Sequence, residues 1–270
     1  MVNPRLMDPQ APAVGSSTLP LQSLSSPAAA PGDASWRLLF RVGAVAALVG
    51  VAGSAFDIGL TMVPGWGESS VPTNPSAWLS QAATQPLLAL RNLDLLNVTL
   101  SFLALPLYLA LFGAHRRAAP AVPLLALLLV AAGTTLFAAS NAALPMVDLA
   151  RRSAALPAGP ERAAAEAAAL ALLVRGAHGS AGAFPGFFLS EAGTLLMAVG
   201  MLGGGVFGRR TAWLGLAGSA ALMTYTLLVT FFPALLSIAT AIAAPGGLMM
   251  MAWEVLVARH LFRLAAARSA

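Results

Sequence analysis

Five ionisable side chains lie within or directly beside the apolar stretches of this sequence. They are Asp57, Arg91, Asp94, Glu191 and Glu254. An ionised side chain at the centre of a membrane helix costs roughly 2.5 to 3.5 kcal/mol on insertion scales, so each group is expected to face other helices and to find a partner there. Side chains of this kind bind ions or polar solutes, relay protons, or hold helices in register.

Helical spacing predicts which faces these groups share. One polar stripe recurs every three or four residues and consists of Asp94, Asn97, Ser101, Ala104 and Tyr108. Arg91 is predicted one helical turn before Asp94, and Asp57 ends a stripe of small residues that begins at Gly43 and favours close helix packing. At about 1.5 Å per residue, all five ionisable groups fall in one layer near the same membrane face, and with Asn97 they predict a polar pocket.

The predicted pocket brings four carboxyl groups to one guanidinium. Four negative charges and one positive charge leave a surplus that a low-dielectric interior solvates poorly, so we expect at least one carboxyl to be protonated. In one interpretation, Arg91 bonds Asp94 and a second carboxylate, and the network only fixes the helix register. In the other, Glu191 or Asp57 loads a proton or binds a cationic or polar ligand from the outer side.

The elements that would position these groups are membrane-spanning helices. Of the 270 residues, 58% are hydrophobic and only 9% are charged, and the mean hydropathy is +0.80. This composition excludes an ordinary soluble enzyme, a disordered regulator and a disulfide-rich secreted domain. Windows of about 20 apolar residues predict an all-α, polytopic transmembrane helix bundle. Its six spans are predicted near 38–62, 86–112, 120–144, 184–207, 211–232 and 246–264.

The arginines predict the orientation of the bundle. All 15 basic residues are Arg, and they lie as singles and pairs at the ends of the spans rather than in a nucleic-acid-binding patch. The face that carries most of them is expected to be cytoplasmic. We therefore predict an N-in/C-in, multi-pass protein of the bacterial plasma membrane, with the lipid bilayer as partner and no nucleic acid. A disordered cytoplasmic tail is predicted at 1–35, the transmembrane domain at 36–265 and a cytoplasmic end at 266–270.

Two longer loops are predicted on the opposite, outer face, at 63–85 and 145–183. The second loop is expected to contain an Ala-rich helix from Glu161 to about Arg175. The segment from Ala234 to Ala244 is too short to span a bilayer and is bounded by prolines, so it is predicted to lie at the membrane interface.

The sequence offers little of the chemistry that enzymes and metal sites use. It contains no Cys, and His115, His178 and His260 are spread over both membrane faces. Ser180 follows His178-Gly179 in a manner faintly typical of proteases, but no other histidine can reach it. Haem ligands and a three-ligand zinc site are missing, although His178 and Glu191 could form half of a metal site. We therefore predict no cofactor, no metal and no enzymatic activity.

Several short motifs occur in a fixed order along residues 36–265. They are Val63-Pro64-Gly65 after the first span, Leu90-Arg91-Asn92-Leu93-Asp94 in the second, His178-Gly179 before the fourth, Trp213-Leu214-Gly215 after a basic elbow, and Trp253 in the last span. In this layout the chain resembles a group of small bacterial six-span membrane proteins classified as domain of unknown function 4386. The resemblance implies the six-span topology and the Arg91 with Asp94 pair, and it implies no activity or substrate. Gly247 stands where that family tends to carry a Glu, and Glu254 follows two turns later.

These observations predict a non-enzymatic membrane protein that binds or passes a small polar solute or a proton. The outer-facing polar pocket would consist of Asp57, Arg91, Asp94, Asn97, Glu191 and Glu254. The alternative is a structural or sensory partner protein whose buried salt bridges only lock the helices, and a membrane-embedded enzyme comes third. The sequence indicates no particular protein partner.

Overall fold

The computed structural model describes residues 31–67 and 70–267, with side chains from residue 35 onward. Most of the tail predicted at 1–35, and the last three residues of the predicted C-terminal end, lie outside these described residues. Regular structure within the described part is entirely helical. Its α-helices are α1 (Pro31–Thr61), α2 (Pro75–Thr84), α3 (Pro86–Asn92), α4 (Leu95–His115), α5 (Ala121–Ser140), α6 (Ala143–Ser153), α7 (Pro160–Gly176), α8 (Phe184–Gly204), α9 (Arg209–Phe231) and α10 (Leu236–Ala266).

In the described part of the chain, six helical segments are long and apolar enough to cross a membrane, which agrees with the predicted all-helical class and number of spans. They are Ser35–Thr61, Leu95–His115, Ala121–Ser153, Phe184–Gly204, Arg209–Phe231 and Pro233–Ala266. Their outward faces carry large exposed apolar side chains, among them Leu38, Leu128 and Leu248. Such surfaces are stable against lipid rather than water, so the chain is a multi-pass membrane protein.

The second span is shorter than the prediction of 86–112. Helix α3 ends at Asn92 and α4 begins at Leu95. Between them Asp94 has a φ of 62°, and no other non-glycine residue in the described part of the chain has a positive φ. A residue in this left-handed conformation interrupts a right-handed helix, so Arg91 and Asp94 do not share the helical face that their spacing predicts.

For the segment predicted at Ala234–Ala244, the boundary at Pro245 is wrong. This segment forms most of a 3₁₀ turn and the start of α10, which continues through Pro245 to Ala266. Proline removes one backbone donor without ending the helix, because neighbouring helices support the chain around it. Gly246 provides that support: a Cβ there would lie 2.8 Å from Cβ of Ala221 on α9. In contrast, α7 spans Pro160–Gly176, in agreement with the Ala-rich helix predicted in the second loop.

The six spanning helices form a closed ring in chain order. Helix α1 packs against α4, α4 against α5, α5 against α8, α8 against α9, α9 against α10, and α10 against α1. The last span therefore closes against the first. Helices α5 and α8 run in opposite directions, since Gly186 meets Phe137 and Gly193 meets Ala126. We refer to α1, α4, α5, α8, α9 and α10 as the ring, to the end with the elbows after α4 and α8 as the arginine side, and to the other end as the loop side.

Two separate hydrophobic clusters fill the molecule. The first occupies the arginine side of the ring and is called the plug. Its larger members are Phe40, Leu107, Leu111, Met197, Met201, Phe207, Trp253, Val257 and Leu261. The second lies on the loop side, where α2, α3, α6 and α7 pack together as a cap. Its larger members are Trp78, Leu79, Leu93, Met146 and Val147. The short helices of the outer loops thus form a small core of their own.

Helices α5 and α8 approach each other at three glycines. A Cβ at Gly133 would lie 2.6 Å from the backbone nitrogen of Ser190, and one at Gly186 would lie 2.7 Å from that of Phe137. A Cβ at Gly193 would lie 2.8 Å from the carbonyl oxygen of Ala126. Small residues allow this backbone contact, which is a main source of attraction between helices in lipid. The α5–α8 seam is therefore a fixed side of the ring.

We expect Gly193→Ala to destabilise this seam by roughly 1 to 3 kcal/mol, since its methyl group would meet backbone atoms of α5 that can move only by separating the helices. Gly203→Ala is the matched control on the same helix, because no atom lies within 4 Å of a Cβ at that position. Thermal unfolding of both variants in the same detergent measures the difference. Equal midpoints for the two variants would contradict the close packing of the seam.

Candidate functional site

The ring encloses a cavity of about 360 Å³ above the plug. All six ring helices contribute to its wall, and Tyr108 and Val130 belong both to the wall and to the plug. The volume falls in the range of roughly 300 to 1,000 Å³ that is typical of small-molecule sites. A cavity at this position is the natural candidate for a binding site.

The cavity wall is unusually polar for the interior of an apolar bundle. Its polar members are Ser54, Asn97, Ser101, Tyr108, Thr134, Ser190, Glu191, Thr194, Tyr225, Thr226 and Glu254. Glu191 is on α8 and Glu254 on α10, and no Arg or His is among the residues that line this cavity. Within the described structure, the carboxyl groups of Glu191 and Glu254 accept no hydrogen bond and form no ion pair. The cavity therefore holds negative charge that the surrounding protein does not balance, or protons that neutralise it.

Small residues on α1 make room for Glu254. A Cβ at Gly50 would lie 3.3 Å from Oε2 of Glu254, and the stripe predicted on this helix also contacts α4, where Gly53 meets Leu100 and Gly43 meets Ala110. The stripe therefore packs between α4 and α10, as its spacing predicts. Its glycines let the carboxyl group of Glu254 approach the α1 backbone.

Hydroxyl groups on the cavity wall are arranged with defined roles. Thr194 donates to the carbonyl oxygen of Ser190 at 2.9 Å, so the 2.5 Å bond between Thr194 and Tyr108 is donated by the tyrosine. The oxygen of Tyr108 keeps its capacity to accept. Thr134 is 2% exposed, and its hydroxyl has no hydrogen-bond partner in the described structure. This hydroxyl is therefore a polar group on the cavity wall that the surrounding side chains leave unpaired.

A chain of hydrogen bonds runs from the loop side to the cavity wall. Oδ2 of Asp94 lies 2.9 Å from Nδ1 of His178, and Nε2 of His178 lies 2.6 Å from the hydroxyl of Tyr225. Asn97 donates to the other oxygen of Asp94 at 2.8 Å. Because Tyr225 lines the cavity, Asp94, His178 and Tyr225 form a relay that connects a carboxylate beneath the cap with the interior of the ring.

Two residues with a left-handed backbone conformation position Asp94 and His178 in the relay. Asp94 turns the chain between α3 and α4, and Gly179, with a φ of 73°, turns it directly after His178. Asn141 supports the first turn by donating to the carbonyl oxygen of Leu93 at 2.7 Å. A non-glycine residue in this conformation costs about 1 kcal/mol or more, and the hydrogen bonds of Asp94 offset that cost.

The surroundings of the relay favour its ion-pair form, with His178 protonated and Asp94 ionised. The nearby carboxylate of Asp94 raises the pKa of His178 against the opposing effect of burial, and Asp57 adds to the increase. Burial works against the ionised form of Asp94, but the charge of His178 and hydrogen bonds from His178 and Asn97 outweigh it, so the pKa of Asp94 lies below its ordinary value. Charged His178 donates to Tyr225 through Nε2, whereas neutral His178 with its proton on Nδ1 accepts from Tyr225. One proton thus reverses the last hydrogen bond of the relay.

Arg91 bonds Asp57 and not Asp94. Its Nε lies 3.1 Å from Oδ1 of Asp57, and its NH1 group donates to the carbonyl oxygen of Trp66 at 2.9 Å. The expected pair of Arg91 with Asp94 does not form, because α3 ends at Asn92 and Asp94 turns toward His178. The Arg91–Asp57 pair ties the end of α1 to the cap, and neither residue lines the cavity.

The six residues of the predicted polar pocket are therefore divided among three places. Asn97, Glu191 and Glu254 line the cavity. Asp94 lies behind the wall, where it accepts a hydrogen bond from Asn97 and reaches Tyr225 through His178, and Asp57 forms a separate pair with Arg91. The position of each residue along its helix can be read from the sequence, but its hydrogen-bond partner on another helix cannot. The six residues are divided among three places because their partners differ.

Sequence reasoning missed His178 and Tyr225 as partners. The chain has only two tyrosines, Tyr108 and Tyr225, and both lie in apolar spans. That placement was the available signal, and in the structure both side chains line the cavity. Both ring nitrogens of His178 are engaged by Asp94 and Tyr225, so neither remains for half of a metal site with Glu191.

No family model, curated protein or solved structure matches this chain. Its cavity and relay are therefore the basis for any conclusion about function.

The relay predicts how stability depends on pH. Because the pKa of His178 is raised in the folded protein, its protonation stabilises the fold. This contribution is complete when the pH is below the ordinary pKa of 6.5, and it is lost as the pH rises through the raised pKa. A lowered Asp94 pKa contributes above its ordinary value of 3.8 and is lost only when the pH falls below that. The thermal midpoint of the wild type should therefore fall as the pH rises above 6.5.

Asp94→Asn removes the charge that holds the proton on His178, so the midpoint of this variant should fall less steeply than that of the wild type in that pH range. Asp148→Asn is the control, because Asp148 pairs with Arg152 on the exposed surface of α6. Melting curves in one detergent across the pH series measure the effect. A slope that persists unchanged in Asp94→Asn would show that another group carries it.

Proposed function

We propose that this protein binds a small polar solute or a proton in its central cavity and passes it across the membrane, without catalysing a reaction. The observation that supports this function best is the pair of unpartnered carboxyls, Glu191 and Glu254, within a cavity that six spans enclose. Isolated charges in a membrane interior are costly and are typical of substrate or ion pathways. A purely structural network would leave its carboxyls paired, as Asp57 is with Arg91.

Passage requires that the plug opens, and the architecture favours one helix for that movement. The α5–α8 seam is held by backbone contact at three glycines. Helix α10 contains Pro245, whose missing backbone donor weakens the helix where Gly247 reaches the cavity wall. The same helix carries Glu254 in the cavity and Trp253 and Leu261 in the plug. A bend at Pro245 would therefore couple the state of Glu254 to the closure of the arginine side.

We further propose that the arginine side is cytoplasmic and that the membrane is the bacterial plasma membrane. Arginine elbows follow α4 and α8, at Arg116 with Arg117 and at Arg209 with Arg210. On the loop side, in contrast, Arg152 pairs with Asp148 and Arg162 with Glu166, so positive charge there is partly balanced. This asymmetry supports an N-in/C-in orientation with the cavity on the outer side of the plug. Membership in the six-span family of domain of unknown function 4386 stays a prediction from the sequence motifs.

One contact favours a membrane-embedded enzyme as the second candidate. The hydroxyl of Tyr225 lies 2.6 Å from Nε2 of His178, which itself is oriented by Asp94. A hydroxyl, a base and an acid in this order resemble the arrangement of activated nucleophiles. Tyr225, His178 and Asp94 could equally exchange a proton between the cavity and the loop side. We assign them this role because the unpaired carboxyl groups on the cavity wall provide a site for the proton.

The proposed function predicts that Glu191→Gln abolishes proton passage while the fold is retained. Full-length protein in liposomes with an entrapped pH-sensitive dye, under an imposed membrane potential, measures the passage. We expect the wild type to exceed empty liposomes by at least about tenfold and Glu191→Gln to fall to their level, since an amide cannot carry the proton. Glu161→Gln on the exposed start of α7 is the matched control and should behave as the wild type.

Equal rates in wild-type and empty liposomes would contradict proton passage. A Glu191→Gln protein whose melting point falls in step with its activity would favour the structural alternative. For this reason, the melting points of all variants are measured in the same preparation.

The proposed orientation can be tested directly because the chain has no Cys. Ala118→Cys places a single thiol in the elbow between α4 and α5, and Ala158→Cys places one between α6 and α7. Both positions are exposed. In intact cells, a membrane-impermeant maleimide should label Ala158→Cys at once and Ala118→Cys only after the membrane is opened. The reverse pattern would overturn the orientation.

A further inference from the structure

The cavity wall is rich in aromatic rings as well as carboxyls. Tyr108, Phe137, Phe187 and Tyr225 all line it. The rings of Phe137 and Phe187 pack with centroids 4.3 Å apart, and Phe187 also meets His178 edge-on at 5.4 Å. These contacts fix the orientation of the aromatic side of the wall. Met250 and Met251 add soft, polarisable thioethers beside Glu254.

The charges of the wall all have one sign. Glu191 and Glu254 are its ionisable acids, and no Arg or His among the lining residues opposes them. The unpartnered hydroxyl of Thr134 is a further polar group, 2% exposed, on the same wall. An anionic solute would find no cationic side chain among the lining residues. A single dehydrated metal ion would leave most of a 360 Å³ cavity unfilled, whereas an organic cation uses the rings, the carboxyls and the volume together.

Building on the proposed binding function, we propose that the ligand of this cavity is a small organic cation of the quaternary or tertiary ammonium class. A quaternary ammonium group has no N–H to donate, and a tertiary one has only one, so these cations rely on attraction to the faces of aromatic rings, which grows when water is excluded. The carboxyl groups supply the opposite charge. Neutral solutes of the same shape would gain neither interaction.

Charge balance links the cation to the proton. A monovalent cation neutralises one of the two carboxylates, and a proton on the other leaves the occupied cavity neutral, which the low-dielectric interior favours. The empty cavity reaches the same state with a proton on each carboxyl. Entry of a cation therefore releases one proton, for which Tyr225 and His178 offer a path toward the loop side.

The probe for this inference is choline, compared with dimethylbutanol, its uncharged isostere in which a carbon atom replaces the ammonium nitrogen. Isothermal titration of the full chain in lipid nanodiscs measures both. We expect choline to bind at least about tenfold more tightly than dimethylbutanol, because only choline gains the cation–π and charge interactions. Titration in two buffers of different ionisation enthalpy should also show proton release on choline binding.

Substitutions at two residues, Glu254 and Tyr225, test the two components of the site. Glu254→Gln should weaken choline binding by about tenfold or more through loss of the charge. Tyr225→Leu should weaken it more than Tyr225→Phe does, since the second variant keeps the ring. Glu161→Gln, far from the cavity on α7, is the control. The tyrosine comparison remains decisive if Glu254→Gln does not fold.

Equal binding of choline and dimethylbutanol, or no binding of choline, would overturn the inference. If Glu191-dependent proton passage is observed in that case, the proposed function stands and only the ligand class is wrong. If choline binds selectively but neither choline nor protons cross the liposome membrane, the ligand class stands and passage is wrong.

Discussion

The hydrogen bond between Asp94 and His178 is the interaction on which the loop side of this molecule depends. It joins the start of α4 to the turn before α8, residues that are 84 positions apart in the chain. At the same residue the backbone adopts a left-handed conformation between the end of α3 and the start of α4, and α3 packs in the cap instead of lengthening a span. A charged side chain near lipid must find a partner, and here that requirement determines where a helix stops.

The polar groups of the bundle differ in how completely they are satisfied. Arg91 and Asp57 balance each other and connect α1 to the cap. Asp94, His178 and Tyr225 satisfy one another in sequence, but the direction of their last bond depends on one proton. Glu191 and Glu254 face open space. This gradient, from paired groups at the periphery to unpaired groups at the centre, separates the residues that support the scaffold from those that a ligand or proton must complete.

Six spans could be predicted because hydrocarbon thickness imposes a length that apolar stretches reveal directly. The small-residue stripe from Gly43 to Asp57 was also visible, since close packing has a helical period. Three features had no such period. The turn at Asp94 looks like a member of a polar stripe, Pro245 looks like the end of a helix, and the partners of His178 lie 84 and 47 residues away. These features depend on contacts between helices, and the partners in such contacts cannot be predicted from the residue spacing of one sequence.

The order of the helices around the ring also has a consequence for biosynthesis. Each span packs beside the one made just before it, so hairpins can assemble as they leave the ribosome, but the ring closes only when α10 reaches α1. Until then Glu191 lacks the wall that α10 supplies, and the groove between α1 and α9 is open to lipid. A nascent chain stalled before its final span would expose an unpartnered carboxyl group to the bilayer, which is costly, so completion of α10 matters for the stability of the whole bundle.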